Sequence, residues 1–424
     1  MLKQLKDSTF AKSVLNLMSG TIVAQLIPIL LTPILSRLYS PEDFGIYSLF
    51  TSICSILLVI ATGSLELAIM LPKEDKEAIQ IMNLSGLLSV SVSLVFGLCL
   101  LFIGDCIVKL LTIEVLGPIV YIIPIYLIIS SLTTLLRYYN NRKQRFSNIR
   151  NVTIMESAVR GGVNVGIGIS FPTHTGLVWG QFVASLTCIY WWIKHDFKLI
   201  KQVLFSTTIS NYQILIRRYI KNLSLGMPGG LLNIMSTNLP VFLLNYYYTS
   251  NIVGQYTMSQ RLVALPITFI MAAFVNAFRQ KASDIYNTTG NIRPFLIKYT
   301  KYLFFISIIP FTVLLLLSPF IFVLILGEEW SEAGTISGIL VIRFFSCFVL
   351  SGISNIIIQI TEKYEFDVVW QFSLLLLTAL TFYIGHMFWS FHQTLVAYVL
   401  LYVFMYLILY IYSYRISCKI QTIE

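Results

Sequence analysis

Charge is what this chain has least of. Only 11% of its 424 residues are Asp, Glu, Lys or Arg, about half the share of an ordinary soluble domain. So little charge cannot clothe a water-facing surface, and a soluble globular fold is excluded. Histidine occurs four times, with no ligand partner at useful spacing. The six cysteines form no CxxC or Cys/His cluster, so neither disulfides nor a metal site is expected. The sequence has no GxxxxGK loop followed by Ser or Thr, no HExxH and no Ser/His/Asp arrangement. No built-in ATPase or hydrolase is therefore expected; the chain reads as a non-enzyme without cofactor.

What the chain has in abundance is apolar sequence: 57% of residues are hydrophobic and the mean hydropathy is +0.80. Apolar runs long enough to cross about 30 Å of hydrocarbon recur from end to end. Their polar breaks predict twelve spans, near 14–36, 44–70, 79–103, 114–136, 151–171, 175–193, 223–248, 253–278, 302–326, 334–360, 366–387 and 391–414. The first apolar run is too long for a signal-peptide core, so Val14 to Leu35 reads as a retained span.

The net charge of +10 would suit nucleic acid, but its distribution describes topology instead. With both termini cytoplasmic, 24 of the 29 Lys and Arg fall on the cytoplasmic side and only Arg37 and Lys109 on the other. Membrane lipids, anionic ones included, are expected partners and nucleic acid is not. The outer connections are short. A membrane glycosyltransferase or polymerase needs an outer loop large enough to hold a sugar chain, and none is expected here.

A weak repeat relates the two halves. Leu38-Tyr39-Ser40-Pro41-Glu42-Asp43-Phe44-Gly45-Ile46-Tyr47 aligns, at an offset of 209, with Tyr247-Tyr248-Thr249-Ser250-Asn251-Ile252-Val253-Gly254-Gln255-Tyr256. Six predicted spans separate the copies, so both enter the membrane in the same direction. Parallel repeats with a cleft between them are a transporter architecture. The expectation is an all-α polytopic protein with two six-helix bundles, 1–194 and 223–424, joined by a cytoplasmic linker, 195–222. Within the linker Phe197, Ile200, Val203 and Leu204 alternate with Lys198, Lys201 and Gln202 at helical spacing. That pattern suits a surface helix on the inner leaflet as well as an ordinary connection.

Ionisable groups inside spans are functional candidates, because hydrocarbon penalises them. Arg261 and Arg343, in the eighth and tenth spans, are candidates to meet an anionic substrate group. Arg37, at the outer mouth of the first span, is a third candidate, or else offsets Glu42 and Asp43. Tyr39 beside it reads as interface material. Glu66, Glu156 and Arg160 are gating or coupling candidates; the last two stand at i and i+4 and are placed to pair with each other. Pro28 and Pro33 in the first span, and Pro228 and Pro240 in the seventh, are candidate helix kinks in repeat-related spans.

The segment Gln25 to Pro72, with Pro33-Ile34-Leu35-Ser36-Arg37-Leu38-Tyr39-Ser40-Pro41-Glu42-Asp43-Phe44-Gly45-Ile46-Tyr47 and Glu66-Leu67-Ala68-Ile69-Met70-Leu71-Pro72, resembles the first hairpin of the Wzx-like O-antigen and capsule flippases. Those belong to the multidrug/oligosaccharidyl-lipid/polysaccharide exporter superfamily, whose fold includes the MATE transporters. Gly254-Gln255-Tyr256-Thr257, leading into Ser259-Gln260-Arg261-Leu262, is similar to the family's eighth span. One departure is Leu65, where members often carry an aromatic before the Glu. The resemblance implies a flippase of the bacterial inner membrane that moves undecaprenyl-diphosphate-linked oligosaccharide to the outer leaflet by alternating access. It also implies a proton or cation gradient as candidate energy source, and a polysaccharide polymerase and chain-length regulator as candidate partners. A cation-coupled multidrug exporter of the same fold, a membrane polymerase and a non-transporting assembly factor remain as alternatives.

Overall fold

A computed structural model describes residues 9–110, 113–205, 209–221 and 226–418. These residues are almost wholly helical. The chain divides into two compact units, Met1–Met235 and Ser236–Glu424.

The first unit contains α1 (Thr9–Leu38), α2 (Pro41–Thr62), a four-residue helix α3 (Leu65–Ala68), α4 (Asp75–Leu110), α5 (Ile123–Arg142), α6 (Phe146–Ser170), α7 (His174–His195), α8 (Phe197–Phe205) and α9 (Ile209–Lys221). A 3-10 stretch, Glu114–Ile122, leads into α5. Helix α10 (Met227–Tyr247) carries the chain across the boundary. The second unit continues with α11 (Ser250–Thr289), α12 (Arg293–Leu326), α13 (Ser331–Ser346), a π-helical turn Cys347–Ser351, α14 (Gly352–Ile360), α15 (Tyr364–Phe388) and α16 (Phe391–Ile416).

Among the described residues, nine helical stretches are long and apolar enough to cross a membrane, and Val23–Leu38 is a shorter apolar one. Helix α6 is not among the nine: Glu156, Arg160 and Asn164 dilute its apolar character. The second span is shorter than the expected 44–70. Gly63 (φ 61°) and Ser64 (φ 55°) both take the left-handed conformation and end α2 at Thr62. The carbonyls stranded at that end are satisfied from α4, where Ser85 donates to Thr62 O (3.0 Å) and Ser89 to Ala61 O (2.9 Å).

The two copies of the repeated motif build the same local structure. Ser40 caps α2 in a reciprocal box with Asp43, and the aligned Thr249 caps α11 by accepting from Ile252 N. Tyr39, read from the sequence as an interface residue, is in fact 1% exposed. Its ring fits between two glycines: a Cβ on Gly168 would lie 2.8 Å from Tyr39 Cε2, and one on Gly176 2.6 Å from its hydroxyl. The hydroxyl donates to Asn164 O at 2.7 Å. Burial, reinforced by Asp43, pushes the phenol up to about 12, so it stays a donor at physiological pH.

The expected linker is part of the first unit's core. Leu199, Leu215 and Tyr219 are buried with Ile79, Met82, Leu136 and Trp192. The turn into α8 is fixed by Asp196, which accepts from Asn140 (2.8 Å) and pairs with Arg145 (3.0 Å). In the second unit, Gln255 clamps the start of α13, donating to Glu329 O (2.7 Å) and accepting from Ala333 N (2.9 Å). Helices α12 and α13 touch at Gly334, where a Cβ would lie 2.6 Å from Pro319 Cα.

Backbone cannot yield as a side chain can. Gly334→Ala is therefore expected to cost about 1–3 kcal/mol through overpacking, read as a lowered thermal unfolding midpoint in detergent. Gly162→Ala, where a Cβ meets nothing within 4 Å, should leave the midpoint unchanged.

Candidate functional site

Polar side chains of the first unit converge where α2, α5, α6 and α7 pack. Glu156 and Arg160 lie one turn apart on α6, but they do not pair with each other as the spacing suggests. Glu156 accepts from Arg137 of α5 at 3.0 Å, and Arg137 also reaches Thr153 (3.4 Å). Arg160 donates to Gln181 Oε1 of α7 at 2.9 Å. The pairing differs because α5 and α7 each place a partner within hydrogen-bond distance, Arg137 for Glu156 and Gln181 for Arg160. Gln181 joins two helices more: its amide donates to Tyr126 OH of α5 (3.0 Å), and its carbonyl also accepts from Tyr47 of α2 (3.2 Å).

Beside this network lies a cavity of ≈ 160 Å³ lined by Tyr126, Ser130, Thr133, Arg137, Glu156 and Ser185, among others. Ser130 Oγ and Thr133 Oγ1 are buried there without a partner among the described residues. A polar cavity of that size with unpaired hydroxyls suits water or a small hydrophilic group. Its charged lining is the Arg137–Glu156 pair, while Arg160 belongs to the adjoining network through Gln181.

Arg343 solves burial differently. It is 8% exposed, inside the second unit. Its guanidinium sits 4.3 Å from the Tyr402 ring centroid and 5.3 Å from those of Tyr398 and Phe344. Each stacked ring contributes up to about 2 kcal/mol when water is excluded. Tyr398, Tyr402 and Tyr406 stand one turn apart on α16, and Tyr256, the repeat partner of Tyr47, shares a hydrogen bond with Tyr398 (3.2 Å). No carboxylate pairs with Arg343, and its Nε and Nη1 lack an acceptor among the described residues. This arrangement holds the guanidinium among aromatic faces rather than against a carboxylate.

The remaining sequence candidates are dispersed. Arg261 is half-buried on α11. Arg37 is exposed in the last turn of α1, where it complements the helix dipole. It does not offset Asp43, which is taken by Ser40 and His174 N. Glu66 is half-buried on α3, beyond the end of α2, and its Oε2 has no partner among the described residues. Pro28, Pro33 and Pro240 lie inside α1 and α10 as expected. Pro228 does not: it is the second residue of α10, where a missing backbone N–H breaks no helical bond, so it starts the helix rather than kinking it. Among the described residues no cluster of three or more His, Cys, Asp and Glu is poised to hold a metal.

Sequence reading missed Arg137, Tyr126, Gln181 and the tyrosine ladder around Arg343. Arg137 looked like the start of a cytoplasmic loop because the apolar run ends at Leu136. The ladder had a legible signal, three tyrosines at four-residue intervals. A double-mutant cycle on Arg137→Gln and Glu156→Gln is expected to give a coupling of about 1 kcal/mol in thermal unfolding. The same cycle on Glu156 and Arg160→Gln should give a value near zero.

Comparison with known proteins places this geometry in a fold. An inward-facing multidrug resistance MATE family transporter of the MOP superfamily superposes with TM-score 0.65 at 17% identity, over 93% of this chain and 94% of that one. The lipid II flippase MurJ, in an inward closed conformation, gives 0.73 at 13% identity, over 95% and 89%. A MOP superfamily transporter from Pyrococcus furiosus, described as having a binding pocket of reverse polarity, gives 0.61 at 13%, over 98% and 97%. These likenesses show the MATE/MOP fold, and the nine described helical stretches long and apolar enough to cross a membrane fit a multi-pass membrane protein. No curated protein sequence matches. A family model described as polysaccharide biosynthesis protein matches residues 34–335, and the chain belongs to that family.

Proposed function

We propose that this protein is a flippase that carries undecaprenyl-diphosphate-linked oligosaccharide from the cytoplasmic to the outer leaflet of a bacterial inner membrane, with both termini cytoplasmic. The observation that carries the reading is the match to a polysaccharide biosynthesis family over most of the chain. Likeness in fold to a lipid II flippase supports it, and so does the polarity of the buried charge. Arg343 is held without a carboxylate, and Arg160 is a cation beyond a neutral pair. Buried cations favour a substrate bearing diphosphate or acidic sugars.

In this reading, alternating access moves the sugar through a hydrated path while the polyprenyl tail stays in lipid. Arg261 and Arg343 act on the diphosphate, with Arg37 at the outer mouth. The network of Glu156, Arg160 and Gln181, with Glu66, couples the movement to a proton or cation gradient. A polymerase and a chain-length regulator receive the product. The second reading is a multidrug exporter, favoured by likeness to MATE transporters. Cationic drugs call for buried acidic groups, and the buried charges here lean the other way.

Deletion of the gene in its native host tests the proposal, with complementation by wild type, Arg261→Ala and Arg343→Ala. The expected result is loss of surface polysaccharide, with lipid-linked oligosaccharide retained on the cytoplasmic face of vesicles. Wild type should restore export, and either variant should lower it at least about tenfold while reaching normal protein levels. Unchanged surface glycan with raised sensitivity to cationic drugs would favour the exporter. Repeat units that reach the outer face unpolymerised would indicate a polymerase.

A further inference from the structure

The linker helix α8 divides two hollows of opposite character. On one side Ile200 and Val203 close an apolar groove of ≈ 350 Å³, whose other walls include Gly86 and Leu87 of α4, Leu132 of α5 and Ile189 of α7. On the other side Lys198, Lys201 and Gln202 line an open hollow together with Asp75, Lys76, Ile79 and Tyr139. The two hollows share α4, α5 and α8, so an occupant of one lies beside the other.

The hollow is cationic. Its one carboxylate, Asp75, is already engaged by Arg142 (3.3 Å) and Lys143. Lys198 and Lys201 are exposed, and neither has an ion-pair partner among the described residues. The helix between the hollows is held in place: Asn83 donates to Val203 O, Tyr212 of α9 donates to Asn83, and Leu199 is buried. The groove is therefore roofed by a fixed element of the first unit.

We propose that this is a binding site for one anionic phospholipid of the adjacent leaflet, with an acyl chain in the groove and its phosphate at Lys198 and Lys201. A phospholipid joins in one molecule the two chemistries that α8 separates: an apolar chain and a phosphate that attracts Lys side chains near the membrane surface. The site lies wholly within the first unit, and its roof is pinned by hydrogen bonds, which suits a resident lipid rather than cargo in passage. The bound lipid tethers the linker to the membrane surface. The inference depends on the chain being a membrane protein and not on what it transports.

The test uses the purified full-length protein and native mass spectrometry of lipid adducts. Phosphatidylglycerol is compared with phosphatidylcholine of the same chains and with undecaprenyl phosphate. Phosphatidylglycerol is expected to bind with preference over phosphatidylcholine. Lys198→Ala/Lys201→Ala should weaken it by about tenfold or more, and Lys198→Arg/Lys201→Arg should retain it. Gly86→Leu plugs the groove from a position where a Cβ meets only Leu132, at 3.8 Å, and should lower adducts of both phospholipids. Unaltered thermal midpoints establish that the variants fold. Equal binding of the two phospholipids, or adducts unchanged in both the alanine and the leucine variants, would overturn the proposal. So would preferential, Lys198- and Lys201-dependent binding of undecaprenyl phosphate, which would make the groove a cargo site.

Discussion

Hydrocarbon offers no water to a polar group, and the placement of side chains in this protein follows from that constraint. Hydroxyls within the helices donate mostly to carbonyls of their own chain three or four residues back, as Ser307 does to Leu303 O and Thr187 to Val183 O. Where a helix ends early the obligation passes to a neighbour, and Ser85 and Ser89 of α4 serve the end of α2. Three buried or half-buried cations meet the same constraint in three ways. Arg137 takes a carboxylate, Arg160 an amide, and Arg343 a set of aromatic faces. Only the first arrangement neutralises charge. The other two hold a cation in place by hydrogen bonding and by aromatic contact.

The two copies of the repeated motif show how little sequence has to persist for a local structure to persist. Ser40 and Thr249 differ in type, but both supply a side-chain oxygen to the third residue of the helix that follows. The tyrosines seven residues beyond the caps keep corresponding tasks. Tyr47 reaches Gln181 on α7, and Tyr256 reaches Tyr398 on α16, the last long helix in each unit before its end or its linker. What differs is the partner: an amide that gathers an arginine in the first unit, and a phenol that belongs to an arginine cage in the second. The same scaffold position thus serves a hydrogen-bonded network in one unit and an aromatic one in the other.

The polysaccharide biosynthesis family and the membrane fold were legible from the sequence because each rests on local signals. Apolar runs mark most of the crossing helices to within a few residues, and the cap-and-hairpin segment around Tyr39 carries the family resemblance. The limits of single elements were less legible. The second span ends at Thr62 because two successive residues adopt left-handed backbone conformations, and Ser64 gives no compositional warning of it. Likewise Pro228 looked like an interior kink until the start of α10 was located beside it.

Composition and pattern alone determined that this chain is a multi-pass membrane protein and that its described residues are almost wholly helical. These follow from transfer free energies that act residue by residue. The tertiary structure decided which charges meet. Glu156 and Arg160 stand one turn apart on one helix, a relation that sequence specifies completely, yet each finds its partner on another helix. The choice depends on which side chains α5 and α7 present at that depth. Arg343 likewise has no counter-charge written near it in the chain. Its surroundings exist only because α13 packs against α16, where three tyrosines one turn apart form a single face. Solvation acts on each residue by itself, but pairing needs two surfaces in register, and only packing supplies the register.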